Sequence, residues 1–436
     1  MIKRTISLIN KKHYDVVIVG GGPVGTSIAF HLAEKLGSQK KIIVIERDTS
    51  LQSSSAMLSA GGIRQQFSLP ENIQMTMYGA QFLNNIKALQ VDDEIPDIQF
   101  HQHGYLFLAN DDRGEKVLRE NVELQRSLGA DWISTLDNKQ LKQKFPWLKT
   151  DDLTLGTFSH KNEGWFDPWS YVQTLKKKSM TLGVEFIEGN VVGAKLVKHS
   201  PHSGPSSYVI DSVSLKKKLG GVYEDITAGI VVNAAGAWSS EILDIFASKA
   251  DYPTVITRMP VRRRKRCIFV VHCRSSDIPT PLPTTPLVVD PSGVYFRPES
   301  GTGKFIIGVS PDGESDCDSN TDDELNDVDH LLYDDVIWPN IANRIPAFEA
   351  LKVQSSWAGF YDYNTLDQNA IIGKHSEIKN LILSTGFSGH GLMHSAAAGR
   401  SVAELIVHDK FTTIDLKKFG YERIITNTPY FETGII

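Results

Sequence analysis

The stretch Tyr14–Arg47, YDVVIVGGGPVGTSIAFHLAEKLGSQKKIIVIER, decides the fold. Asp15 to Val19 is a short β-branched apolar run, the composition of a parallel strand buried on both faces. Gly20-Gly21-Gly22-Pro23-Val24-Gly25 follows at once and fits G-x-G-x-x-G. A helical pattern runs from Pro23 to about Leu36, with Gly37 as its stop. A second apolar strand, Ile42 to Ile45, ends in Glu46. Strand, glycine turn, helix, strand and acid in that order predict a βαβ unit that binds a dinucleotide. Gly20 permits the tight turn, Gly22 lets the backbone approach a pyrophosphate, and Gly25 lets helix and strand pack closely. The helix N-terminus offers free N–H groups to phosphate. Glu46 is placed to hold a ribose hydroxyl, with Arg47 beside it.

Two later stretches repeat the logic. Ile230 to Asn233 reads as a strand running into Ala234-Ala235-Gly236-Ala237-Trp238-Ser239, with a helix opening near Ser239. Leu381 to Leu383 precedes Ser384-Thr385-Gly386-Phe387-Ser388-Gly389-His390-Gly391, and a helix follows from Leu392 to Val407. Each is a strand end with few side chains, where a ligand can lie against backbone. Ser53 to Ser55 and Gly61-Gly62, directly after the acidic strand, add small residues that a flat ligand can approach.

Between these turns, helices are expected at Asn72 to Leu89, Arg113 to Leu128, Leu136 to Phe145 and Trp169 to Thr181. Strands are expected at His101 to Asn110 and Gly183 to Val192. Lys198 to Ser207 reads as an exposed hairpin loop. From about Tyr252 to Val353, proline, glycine and short alternating strands (Cys267 to Val271, Gly293 to Arg297, Lys304 to Val309) predict an antiparallel second domain. Arg262 to Arg266, RRRKR, reads as a solvated edge strand protected by its charge. The acidic Asp312 to Asp329 reads as a loop without assigned chemistry.

The chain has 436 residues, enough to bury two or more domains. A net charge of -5 excludes the strongly basic balance of a nucleic-acid binder. Cys267, Cys273 and Cys317 make no CxxC pair or disulfide framework. No apolar run approaches the roughly 18 residues that a membrane span requires. His101 and His103 lack a second pair at ligand spacing, so no metal site is expected. MIKRTISLINKKHY is basic and free of acids, like a short mitochondrial presequence stub or a solvated tail. Gly301-Thr302-Gly303 lacks the third glycine. With a single dinucleotide motif, the organic substrate rather than a nicotinamide is expected to reduce the cofactor.

The VVIVGGGPVGTSIAFHLA opening, Glu46-Arg47, NAAGAWS, YFRPE, WAGFYDYNTLDQNAIIG and GFSGHGLMHSAAAGR together resemble the D-amino-acid oxidase superfamily of FAD-dependent amine and amino-acid oxidases and dehydrogenases. SAGGIRQQFSLPENIQ, EGWFDPW, LKVQSSWAGFYDYNT and FSGHGL are similar to one mitochondrial member of it implicated in respiratory complex I assembly. The resemblance implies an α/β fold: a Rossmann-like FAD-binding domain of the p-hydroxybenzoate-hydroxylase and glutathione-reductase type, interleaved with an antiparallel β-sheet substrate domain. The expected parts are 1–95, 160–250 and 355–436 for FAD, and 96–159 and 251–354 for the sheet. It implies FAD contacts at Gly20, Gly22, Gly25, Glu46, Arg47, Ser54, Ser55, Gly61, Gly62, Val191, Gly236, Trp238, Gly386, Gly389, His390, Gly391 and Leu392. Relatives with histidyl-linked FAD place His before the Ala-Gly pair; Ser59 stands there, so non-covalent FAD is expected. Ile306 occupies the position of an oxygen-activating lysine, which leans toward a dehydrogenase.

The implied function is hydride transfer from a small secondary amine or amino acid to flavin N5, with a mitochondrial location and complex I subunits as further partners. A non-catalytic flavoprotein serving complex I assembly is the alternative. A substrate carboxylate calls for an arginine fork. Arg297 is the first candidate, against a structural ion pair, and Arg64 the second. Tyr361 is a candidate for a substrate hydrogen bond or for domain-interface packing. His390, between glycines, is a candidate for polarising the flavin. If Arg297 proves enclosed by protein, the binding role gains weight.

Overall fold

The computed structural model describes residues 12–199, 207–247, 259–275, 277–311 and 316–433. The basic N-terminal stretch before Lys12, and most of the Lys198–Ser207 loop, lie outside them.

A seven-stranded sheet organises the chain. Five of its strands are parallel, in the spatial order Glu185–His199, Ile42–Glu46, His13–Val19, Tyr223–Asn233 and Leu381–Thr385. The second half of Glu185–His199 turns into an antiparallel meander with Ser207–Lys217 and the start of Tyr223–Asn233. Ile371–Lys374 closes the far edge antiparallel.

The opening strand is apolar on both sides because both sides are covered. Val16, Ile18, Ile42 and Val44 pack against the helices Pro23–Leu36 and Gly391–His408. Val17, Val19, Ile43 and Ile45 face the meander and the helix Ser239–Ala247. This is the period-two alternation of a strand, with a core on each face. The two long helices touch through glycine: a Cβ on Gly399 would stand 2.1 Å from Ser27 Oγ.

A second sheet has eight strands, in the order Leu351–Asn364, Val261–Cys273, Lys304–Val309, Val294–Pro298, Leu287–Val289, Tyr105–Ala109, Leu155–Ser159 and Ile133–Leu136. Its pairings are antiparallel except that between Leu287–Val289 and Tyr105–Ala109, which is parallel. One face buries Phe269, Phe296, Phe305 and Phe348. The other faces the first sheet's turns.

The RRRKR run departs from its sequence reading. It lies in Val261–Cys273, which Leu351–Asn364 pairs along its whole length. Lys304–Val309 pairs only the stretch from Ile268 onward. Beside the arginines lies the acidic segment instead. Arg266 grips Asp316 through two bonds of 2.6 and 2.9 Å, and Arg264 reaches Asp316 and Asp318. The charges are therefore mutually neutralised, and the acidic segment, a loop without assigned chemistry in the sequence reading, is their counterion. Among the described residues no helix is long and apolar enough to cross a membrane.

Candidate functional site

The five parallel strands present their C-terminal ends at one edge, and the three glycine turns leave from that edge. The first and second turns touch. Gly20, at φ +105°, lies so close to Ala234 that a Cβ would stand 2.4 Å from its carbonyl oxygen. Gly25 packs on the same turn, its hypothetical Cβ 1.9 Å from Gly20 O. The third turn is held from the other sheet. Phe387 N donates to the Asp362 carboxylate at 3.0 Å, and Ser388 N donates to the Asp362 carbonyl at 3.2 Å. Burial pushes the Asp362 carboxyl up to about 6, against the backbone donors that favour its charge. Gly389 stacks so tightly on Tyr361 that a Cβ would meet the ring at 2.4 Å.

Together the turns wall a cavity of about 460 Å³, within the range of about 300–1,000 Å³ usual for ligand pockets. Gly22 and Glu46 line it from the first βαβ unit, and Arg47, Ser54 and Ser55 from the loop beyond. Val191, Gly236 and Trp238 form the opposite wall, and Gly389, Gly391 and Leu392 close one end. The Glu46 carboxylate accepts N–H bonds from Gly21 at 2.7 Å and Asp48 at 2.9 Å, fastening the glycine turn to the second strand. Burial raises its pKa, and those two donors oppose the rise. Gly20, Gly25 and Gly386 do not line the cavity; they pack the turns that do.

A second cavity of about 520 Å³ lies between the turns and the eight-stranded sheet. Ser55, Ser59, Tyr361, Gly389 and Leu392 border both, so the two spaces adjoin. Gly61, Gly62, Arg64 and His390 line only the second. Tyr105, Tyr295, Arg266 and Asp316 face them from the other side.

Arg64 is the unusual group here. Its side chain is buried, and among the described residues no carboxylate forms an ion pair with it. Its Nη2 donates to His390 Nε2 at 3.1 Å, its Nε has no partner, and its guanidinium lies over Phe67 and Phe107. A buried cation without an ion-pair partner is costly, and burial lowers its pKa against the opposing pull of Tyr105, Glu432 and Glu163 nearby. Because arginine can only donate, His390 must accept at Nε2 and is neutral. Burial, then the Arg64 charge, holds its pKa well below the ordinary histidine value. Behind Arg64, Glu163 is fully buried, accepts from Gln65 N at 2.6 Å and Gln66 Nε2 at 2.8 Å, and is raised by burial to about 7.

Arg297 is placed otherwise than expected. It lines neither cavity. Its Nε donates to Ala60 O at 2.7 Å, and its Nη1 bonds Pro298 O and the Glu299 carboxylate, each at 2.8 Å. It holds the loop before Gly61 and has no free fork for a substrate. Tyr361 lies where the two cavities meet, its ring 4.8 Å beneath the Arg266 guanidinium. His101 stacks on His103 and on Trp165, and His103 meets the same indole at a tilt.

Sequence reasoning missed Tyr105, Tyr295, Asp362 and Glu432. Strand alternation would have found Tyr295, which shares a face with Arg297. Nothing local marks Glu432, which comes from the far end of the chain. Its carboxylate accepts from Ser68 N at 2.7 Å, Ser68 Oγ at 2.5 Å and Leu69 N at 3.2 Å, and it borders the second cavity.

The family model for DAO, FAD dependent oxidoreductase, matches residues 15–405. The chain is 41% identical over 432 residues to FAD-dependent oxidoreductase domain-containing protein 1 of Xenopus laevis, covering 97% of this chain and 85% of that protein. It is 25% identical over 418 residues to glycine oxidase of Geobacillus kaustophilus, covering 94% of this chain and 97% of that one. Its fold superposes on L-proline dehydrogenase from P. horikoshii with a TM-score of 0.79 at 24% identity, over 96% of this chain and 100% of that chain.

The residues present fit FAD. The helices Pro23–Leu36 and Gly391–His408 both begin at the cavities with no side-chain cap. Their free N–H groups and positive dipole ends suit a pyrophosphate and an electron-rich ring edge. Gly22 admits a phosphate because a Cβ there would find its nearest neighbour, Ser54 Oγ, only at 3.8 Å.

Proposed function

The chain belongs to the DAO family of FAD-dependent oxidoreductases, with FAD as its cofactor, and from that premise we propose that it oxidises a small secondary amine or amino acid whose carboxylate pairs with Arg64. One observation carries the reading: a buried guanidinium without a carboxylate partner, on the wall of the cavity that adjoins the dinucleotide cleft. FAD supplies a hydride acceptor. Arg64 supplies a fixed positive charge that orients the substrate carbon, and neutral His390 holds the Arg64 Nη2 in place. Tyr361, which lines both cavities, would cover one side of a ring bound at their junction. A neutral amine loses hydride without a strong protein base, so this chain needs only to bind and orient. The names of glycine oxidase and L-proline dehydrogenase among its likenesses favour amino-acid substrates.

The test is anaerobic mixing of the FAD-loaded protein with sarcosine, dimethylglycine, proline and glycine. One of these amino acids is expected to bleach the flavin band, and Arg64→Ala to weaken its binding by about a hundredfold or more, the scale of a lost charge-assisted pair. If none bleaches it, the enzyme reading fails.

A second reading is a mitochondrial flavoprotein that assists complex I assembly. The enclosure of Arg297 favours it, because the first-choice substrate anchor is occupied by protein. The free Arg64 weighs the other way. Affinity purification from mitochondria is expected to recover complex I subunits if this role holds, and their absence counts against it.

A further inference from the structure

Arg47 and Trp238 stand on opposite walls of the dinucleotide cleft, after the second strand and after Tyr223–Asn233. The opening strand lies between those two strands. The Arg47 guanidinium nevertheless stacks on the Trp238 ring, 3.9 Å from its centroid. The pair thus bridges the cleft over the first glycine turn.

A single carboxylate from the other sheet's side holds the bridge. Asp322 Oδ2 pairs with Arg47 Nη1 at 2.9 Å, and Oδ1 accepts from Trp238 Nε1 at 2.9 Å. The same Oδ1 takes Arg263 Nη1 at 2.8 Å, and Arg263 Nη2 reaches Glu241, on the cleft wall, at 2.8 Å. Asp322 opens a short 3-10 turn that Thr321 and Glu324 cap reciprocally. Arg263 Nη2 also bonds Asn320 O at 2.8 Å, fixing the turn to the arginine run. Asp322 therefore acts as the keystone of a clasp with two arginines and an indole.

We propose that Asp322 is a positioning residue that retains the adenosine end of FAD, by locking the Arg47–Trp238 bridge across the cleft. The proposal rests on the FAD reading. A clasp of partly exposed ion pairs is worth little in stability and weakens with salt. Its effect is on release: the nucleotide leaves when the bridge opens.

The experiment is the FAD dissociation rate of the holoprotein, read from the rise in flavin fluorescence on dilution at low and high salt. The wild type is expected to release FAD faster as salt rises. Asp322→Asn is expected to release it about two- to fivefold faster at low salt, the upper part of the range for exposed ion pairs, with the salt dependence flattened. Asp323→Asn removes the same charge one position away and is expected to behave as wild type. Trp238→Phe keeps the stacked ring, removes the N–H bond to Asp322 and is expected to fall between. Unfolding temperatures of all variants separate a clasp from a general loss of fold. Equal rates for wild type and Asp322→Asn, or equal acceleration by Asp323→Asn, would overturn the clasp while leaving the cofactor in place. A wild-type chain that takes up no FAD overturns the cofactor reading itself.

Discussion

Arg64 and Arg297 both lie beside the expected flavin loop, but among the described residues only Arg297 is ion-paired, to Glu299 at 2.8 Å. In Val294–Pro298, alternation puts Tyr295 and Arg297 on one face and sends Phe296 to the core on the other, but only Tyr295 reaches the cavity. Arg297 is then captured by Ala60 O, a contact across 237 residues that no local pattern reveals. Arg64 keeps its charge unpaired. The carboxyl of Glu163 behind it gives a pH test. Its folded pKa, about 7, lies above the ordinary 4.5, so the folded state binds the extra proton between those values. The stability this group contributes is full below pH 4.5 and is lost as pH rises toward 7. Glu163→Gln is expected to flatten that decline in chemical-denaturation profiles. A constant offset from altered hydrogen bonds leaves the slope comparison intact, and parallel profiles would contradict the assignment.

At the scale of elements, the site depends on turns pinned at short range. Gly389 has φ +94° and lies against Tyr361. Gly389→Ala must shift that ring or the turn, and is expected to weaken FAD affinity by tenfold or more, read by flavin fluorescence titration. Unchanged affinity would place the flavin elsewhere. The chain's last described residues act as an element too. Glu432 pins the entry to the helix Pro70–Asn84, accepting from Ser68 N and Leu69 N just before it and from the Asn72 side chain in its first turn. Glu432→Ala is expected to cost about 1.5–3 kcal/mol, the range for hydrogen bonds to a charged group, measurable by denaturant unfolding. The βαβ unit and the last helix were legible because strand, glycine and helix patterns are local and strongly periodic. Ile133–Leu136 and Leu287–Val289 were not, since strands of three or four residues carry too little pattern of their own and are set by their partners.

Across the whole molecule, the chain passes repeatedly between two sheets, and the site forms where they face each other. Motifs separated by more than 300 residues, at Gly22 and Gly389, line one cavity. That convergence was readable from the repeated strand-turn-helix logic. The acidic buckle on RRRKR was not, because charge runs look alike whether water or a counter-segment neutralises them. The family resemblance sets Ser59 where histidyl-linked relatives carry the linking histidine, so acid precipitation of the purified protein is expected to release all of its flavin into the supernatant. Yellow colour retained in the pellet would show an attachment elsewhere.

The most direct measurement is the electron density of crystals grown with FAD. The adenosine is expected under the Arg47–Trp238 bridge and the flavin ring at the junction by Tyr361 and Gly389, with one face open to Arg64. Density for the ring outside that junction, or a flavin that never reaches the turn at Gly389, would contradict a single site built from three converging turns.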